Sequence, residues 1–353
     1  MSPSRIVSSL KVLLCASLLS IPAAALPQRG TFDWDKTKHV VAFGDSYTYI
    51  QGTAGLQNFS FIGDYLPGNF AYTPDTLLSN KIVQNFTGTA EGGPNWIEYL
   101  TDRGVKPGLT SPLTCKRQLW DFAFAGADVA EEFTPLHHPY TIPLVNQTQQ
   151  FLAYGDDVLK RRACLNPART LVAIWIGIND INDSAKSTTI PSFAAFYASI
   201  LDRVFSSSVS SLLSAGYRNF LFVNLPPLDK TPSNLLKQPE ARTPNATMVG
   251  WWNDALAERV GALDKTGEGV TAMGYDANEF LNGVLETPER YGVRNTTGYC
   301  AGYLQADVLT DPGKYGCPVP VGEYFWFNSG HMTSHVHEVM APDVERFLRE
   351  RSG

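Results

Sequence analysis

Five short, nearly all-apolar runs recur along the chain, at 39–43, 119–124, 171–176, 220–224 and 270–275, separated by longer mixed segments. Runs of this length and composition predict strands buried on both faces. Between the third and fourth, residues 191–215 place Phe193, Phe196, Ile200, Val204 and Leu212 close to helical spacing, and Gly216 follows as a C-terminal cap. Residues 248–263 also read as helix, and a last helix is predicted over 334–349. Strands alternating with helices imply an α/β chain, a three-layer α/β/α sandwich around a mainly parallel five-stranded sheet. In such sheets the ligand site lies beyond the carboxyl ends of the strands. Ser46, Gly126 and Asn179 each fall just after one of the apolar runs, and so on one edge.

The N-terminus has a different pattern. Arg5 and Lys11 precede the apolar run 12–21, and Ala23, Ala24 and Ala25 offer a small-residue cleavage site. That layout predicts a secretory signal peptide over residues 1–25, with a short N-terminal anchor as the alternative. Residues 26–353 are expected to form a single domain, because no Ser/Gly linker, charge block or internal repeat divides them. The Pro-bearing stretches 134–143 and 225–239 read as surface loops. Removing the signal takes away Arg5 and Lys11 and no acid, moving the net charge from −6 to −8. An acidic surface argues against nucleic acid or an anionic membrane as partner. A secreted, extracellular monomer with no stable membrane association is the expectation.

Cysteine and asparagine positions point the same way. Without Cys15, the cysteines Cys115, Cys164, Cys300 and Cys317 remain, an even number that suggests two disulfides in an oxidising compartment. Of the three pairings, Cys300–Cys317 closes a short Gly/Pro-bearing loop, which leaves Cys115–Cys164. A zinc site is the rival, without Cys-x-x-Cys spacing to support it. Glycosylation sequons begin at Asn58, Asn85, Asn146, Asn182, Asn245 and Asn295.

Acyl transfer to water requires a nucleophile, a base and donors for the developing oxyanion. Ser46, in "FGDSYT", can be the nucleophile and its own N–H one donor. Gly126, in "FAFAGAD", can offer an unobstructed backbone N–H, and Asn179, in "IWIGIND", a side-chain N–H. Each alone is equally a turn or capping residue. Among the histidines, His39 opens a strand, His137 and His138 lie in a Pro-rich loop, and His335 and His337 belong to the last helix. His331 sits in the loop just before that helix and is the candidate base.

Ser46, Gly126, Asn179 and His331, in this order and strand context, resemble the GDSL/SGNH hydrolase superfamily. "GGPNWIEYL" (92–100), "VNLPP" (223–227) and Phe325-Trp326 look like its fungal secreted members, many assigned to the carbohydrate esterase family sixteen acetylesterases. The resemblance implies a flavodoxin-like SGNH-hydrolase fold and a serine esterase removing short acyl groups, with acetylated carbohydrate as substrate. It implies no metal and no organic cofactor. Trp175, Trp326 and Tyr47 could stack on sugar rings, although core packing is the commoner use of such residues. The chain departs from the family at one place: the usual Asp three residues before the histidine is Asn328. An asparagine can orient an imidazole but adds no negative charge to stabilise the imidazolium. A working Ser-His dyad, a carboxylate from elsewhere and a weak enzyme are the three outcomes left open. The alternatives in function are a lipase or general carboxylesterase for longer acyl chains, and a weakly active or non-catalytic carbohydrate-binding relative.

Overall fold

The computed structural model describes residues 32–62, 73–114, 116–267 and 269–353; the expected signal peptide and Cys115 lie outside them. Its strands are β1 (His39–Gly44), β2 (Ile82–Gln84), β3 (Gly108–Thr110), β4 (Gln118–Asp121), β5 (Thr170–Trp175), β6 (Asn219–Val223) and β7 (Thr271–Tyr275). Five of them form a wholly parallel sheet in the order β4-β1-β5-β6-β7. β1 lies inside the sheet between β4 and β5, and every one of its residues is buried, as expected where helices cover both faces. It runs in register with β5 over its full length, from His39 beside Thr170 to Gly44 beside Trp175. The five predicted strands are thus all present, within a residue or two at most ends. The second run keeps regular strand form only to Asp121, whose carboxylate accepts the Ala123 N–H at 2.6 Å, although Phe122 and Phe124 still donate to the Ala42 and Gly44 carbonyls of β1.

The three expected helices also form. Helix Phe193–Arg203 starts at the Ser192 cap, continues through a wide π-type turn at Val204–Val209 into Ser210–Ser214, and stops at Gly216 with φ 99°. Helix Ala246–Asp264 packs against it and against β7. Helix Ser334–Glu350 closes the chain and packs on Trp96–Thr101. That short helix has a capping box, with Asn95 accepting from the first turn and Glu98 accepting the Asn95 N–H at 3.0 Å. Its "NWIE" signal was present in the sequence but unread. The small antiparallel pair β2–β3 and helix Ala277–Glu286 were likewise not anticipated. No helix among the described residues is long and apolar enough to cross a membrane.

Cys300 and Cys317 are bonded, and Val308, Val321, Tyr324 and Phe327 form a small apolar cluster around them. The second expected bridge is corrected: Cys164 is a free, exposed thiol at φ 56°, on the turn after helix Asp156–Arg162. Assigning it by elimination assumed that every remaining cysteine is paired, which burial and geometry do not require of a surface turn. Breaking Cys300–Cys317 by a double serine substitution should cost about 3 kcal/mol, the loop-closure value for a loop of this size. Urea denaturation reads the loss, and hydrogen exchange should show it concentrated between residues 298 and 327. Unchanged protection there would mean that the apolar cluster alone holds the loop.

Candidate active site

Ser46 leaves the end of β1 on a turn that only a glycine can precede. A Cβ on Gly44 would stand 2.2 Å from the Trp175 carbonyl oxygen, inside contact distance of backbone that cannot move aside. The Gln147 side chain clasps the same residue, accepting the Gly44 N–H at 3.0 Å and donating to its carbonyl at 2.8 Å. The Asp45 carbonyl accepts from Thr48 and Tyr49, and the Asp45 carboxylate accepts from Tyr47, so the turn winds back on itself. Asp45 is fully buried, and burial pushes its carboxyl up to about 7, against the N–H groups of Tyr47 and Ile178 that favour the charged form. Ser46 itself is 8% exposed, enough for a substrate atom to reach its hydroxyl.

His331 comes from the loop before the last helix, and its Nε2 lies 2.8 Å from Ser46 Oγ. Its Nδ1 lies 3.1 Å from Asn328 Oδ1, which also accepts the backbone N–H groups of Gly330 and His331 at 2.9 Å each. These two backbone donors determine which way the amide faces, because an NH2 group cannot accept them. Oδ1 therefore meets Nδ1, the proton of the neutral ring sits on Nδ1, and Nε2 presents its lone pair to the Ser46 hydroxyl. Among the described residues, no carboxylate hydrogen-bonds to the ring. Burial accordingly pushes the His331 pKa down to about 4. Tyr47 braces the loop from below, donating its hydroxyl to the Gly330 carbonyl with its ring centroid 5.3 Å from that of His331.

Gly126 has φ 82° in a turn closed by the Ala127 N–H on the Phe124 carbonyl at 3.0 Å, a conformation that favours glycine. The Phe124 N–H donates to the Gly44 carbonyl, so Ser46 and Gly126 each lie two residues beyond one backbone contact. Among the described residues, neither the Ser46 N–H nor the Gly126 N–H donates to another group. Asn179 stands in the first turn of helix Ile178–Ser184, and its Nδ2 donates to the Ala127 carbonyl at 2.8 Å, leaving the second amide hydrogen uncommitted. The structure thus brings Ser46, His331 and Asn328 into one hydrogen-bonded chain, with Gly126 and Asn179 joined through Ala127 at the same sheet edge.

Other candidates fall elsewhere. Trp175, Trp326 and Tyr47 are core residues, at most 1% exposed, and present no face to a sugar. His337 is buried, accepts the Trp96 N–H at 3.2 Å, and burial pushes its pKa down to about 3. His137 pairs with Asp183, and His335 with the Tyr291 carbonyl. Of the sequon asparagines, Asn58, Asn85, Asn182 and Asn245 are exposed, while Asn146 and Asn295 are half-buried. Gln147, Asp45 and Tyr47 position the Ser46 turn and the histidine loop, and only Asp45 and Tyr47, as neighbours of Ser46, offered any local signal. A groove of about 230 Å³ opens beside Asn328, lined by Tyr49, Phe86, Tyr303, Leu304 and Phe327.

The GDSL-like lipase/acylhydrolase family matches this chain over residues 40–344. An acetylesterase of Thermothelomyces thermophilus is 26% identical over 312 residues, covering 87% of each chain. An acetylesterase of Hypocrea jecorina is 22% identical over 356 residues, covering 90% of each. The family match spans all five strands of the parallel sheet as well as Ser46, Gly126, Asn179 and His331. The chain belongs to the GDSL-like lipase/acylhydrolase family and is a carboxylic ester hydrolase.

Proposed function

We propose that the protein is a secreted serine esterase that removes acetyl groups from carbohydrate through an acyl-Ser46 intermediate. The observation that carries the mechanism is the chain of hydrogen bonds from Ser46 Oγ through His331 to Asn328 Oδ1. Ser46 Oγ attacks the ester carbonyl carbon while its proton passes to His331 Nε2. The tetrahedral oxyanion takes hydrogen bonds from the N–H groups of Ser46 and Gly126 and from the free amide hydrogen of Asn179. Collapse expels the alcohol, which takes the proton from Nε2, and water attacks the acyl-enzyme with the same imidazole as base. Asn328 does the orienting work of a triad carboxylate without its charge, so His331 remains a weak base and the oxyanion donors carry more of the barrier.

The substrate class is supported by the acetylesterase relatives and by the groove beside Asn328, where the rings of Phe86 and Tyr303 are half-buried. Residues 1–25 are read as the signal peptide and 26–353 as one domain, with the exposed sequons as the first candidates for glycans. Acetate release from acetylated xylo-oligosaccharides tests the function. Turnover should fall by several orders of magnitude in Ser46→Ala, and activity on p-nitrophenyl acetate should exceed that on the octanoate. Faster cleavage of octanoate would favour a lipase.

Two further outcomes test individual roles. Asn179→Ala should lower kcat on the order of 10²–10³-fold with little change in KM, as for loss of one oxyanion donor. An unchanged kcat in the folded variant would leave Asn179 a capping residue.

Asn328→Asp places a carboxylate on the Nδ1–H. Opposite charge favours imidazolium, so the His331 pKa should rise from about 4 by roughly 1–3 units. The base must be neutral to act. The acidic limb of kcat/KM, expected near pH 4 in the native protein, should therefore move to higher pH in the variant, with neutral-pH activity preserved or raised. An unmoved limb would show that Asn328 does not govern the ring.

A further inference from the structure

Away from the Ser46 chain, Asp128, His137 and Asp183 bring two carboxylate oxygens and a ring nitrogen within 4.8 Å of one another. They come from three segments: Asp128 from just beyond the Gly126 turn, His137 from the Pro-rich loop, and Asp183 from helix Ile178–Ser184. Asp128 is 0% exposed, and neither of its oxygens has a hydrogen-bond partner of acceptable geometry. The Thr134 hydroxyl lies within reach of this carboxylate, outside good hydrogen-bond geometry. Asp180 and Asp183 both lie close enough to act on the buried Asp128, so the position concentrates negative charge that a cation would offset. The positively chargeable neighbour is His137, already held against Asp183 at 2.5 Å. His137 and Asp183 keep about a third of their side-chain surface in solvent, 34% and 32%, which gives an ion a way in.

We infer that Asp128, His137 and Asp183 form a binding site for a divalent transition-metal ion of the zinc or manganese class. One imidazole nitrogen and two carboxylate oxygens are a donor set suited to these ions, and three protein ligands leave a position for water. Tetrahedral bonds of about 2.0–2.2 Å set ligand atoms about 3.4 Å apart, so on binding the Asp128 carboxylate would move inward by roughly 1 Å and the His137–Asp183 pair would open. Binding exchanges the proton shared between His137 and Asp183 for the ion and releases it to solvent. His137 Nδ1 lies 3.3 Å from where a Cβ on Gly126 would stand. A filled site would therefore hold the imidazole against the turn that carries the Gly126 N–H.

The test is calorimetric titration of the chelator-treated, dialysed protein with ZnCl2 and, separately, MnCl2. One ion per chain is expected to bind saturably. Asp128→Asn and Asp183→Asn should each weaken binding at least tenfold, with circular dichroism confirming the fold. Asp183 is exposed, so its substitution keeps the test available if the Asp128 variant misfolds. Absence of saturable binding to the native protein, or binding unchanged in Asp183→Asn, would overturn the proposal.

Discussion

The contact on which the catalytic edge depends is the approach of Gly44 to the Trp175 carbonyl. β1 and β5 stay paired to their last residues, and only the missing side chain lets them do so. Both strands then release their loops at one point of the sheet edge, one carrying Ser46 and the other Gly177 and Asn179. A second close approach repeats the device. A Cβ on Gly177, at φ 113°, would stand 2.1 Å from the Trp252 ring, so the loop lies flat against the helix beneath it. Gln147 finishes the arrangement by occupying both backbone groups of Gly44, which leaves the Ser46 turn little room to shift.

The electrostatics of the site follow from a single amide. Two backbone N–H groups orient Asn328, Asn328 selects the His331 tautomer, and the tautomer points a lone pair at Ser46. Geometry is supplied in full, but charge is not. The buried ring therefore titrates low, whereas a carboxylate at residue 328 would oppose that shift. The unengaged N–H groups of Ser46 and Gly126 and the second amide hydrogen of Asn179 do not depend on this charge.

The disulfide-closed segment bears on the same site from its outer side. Phe327 packs in the Cys300–Cys317 cluster and precedes Asn328, while Tyr303 projects from the closed loop into the groove. The closed loop thus packs directly on the residue that precedes Asn328. Phe86, at the end of β2, stacks edge-on against Phe327 with ring centroids 5.8 Å apart, so the small antiparallel pair also borders the groove.

The five parallel strands were legible because each is mostly buried and writes its position as a largely apolar run. Ser46, Gly126, Asn179 and His331 were legible because their order relative to those runs carries the information. The β2–β3 pair was not, since Gly108 and Leu109 are exposed and show no alternation. Nor was the free state of Cys164, which depends on where a turn places a thiol. Asn328 was visible as a departure, but its consequence waited on which oxygen faces which nitrogen. The Asp128–His137–Asp183 cluster had no signature in spacing at all. The sequence by itself determined the sheet, its edge and the order of Ser46, Gly126, Asn179 and His331 along it, because burial and chain order are local and additive along the chain. Tertiary structure alone decided the tautomer of His331, the groove and the cation cluster, because each depends on distances of a few ångströms between segments far apart in sequence.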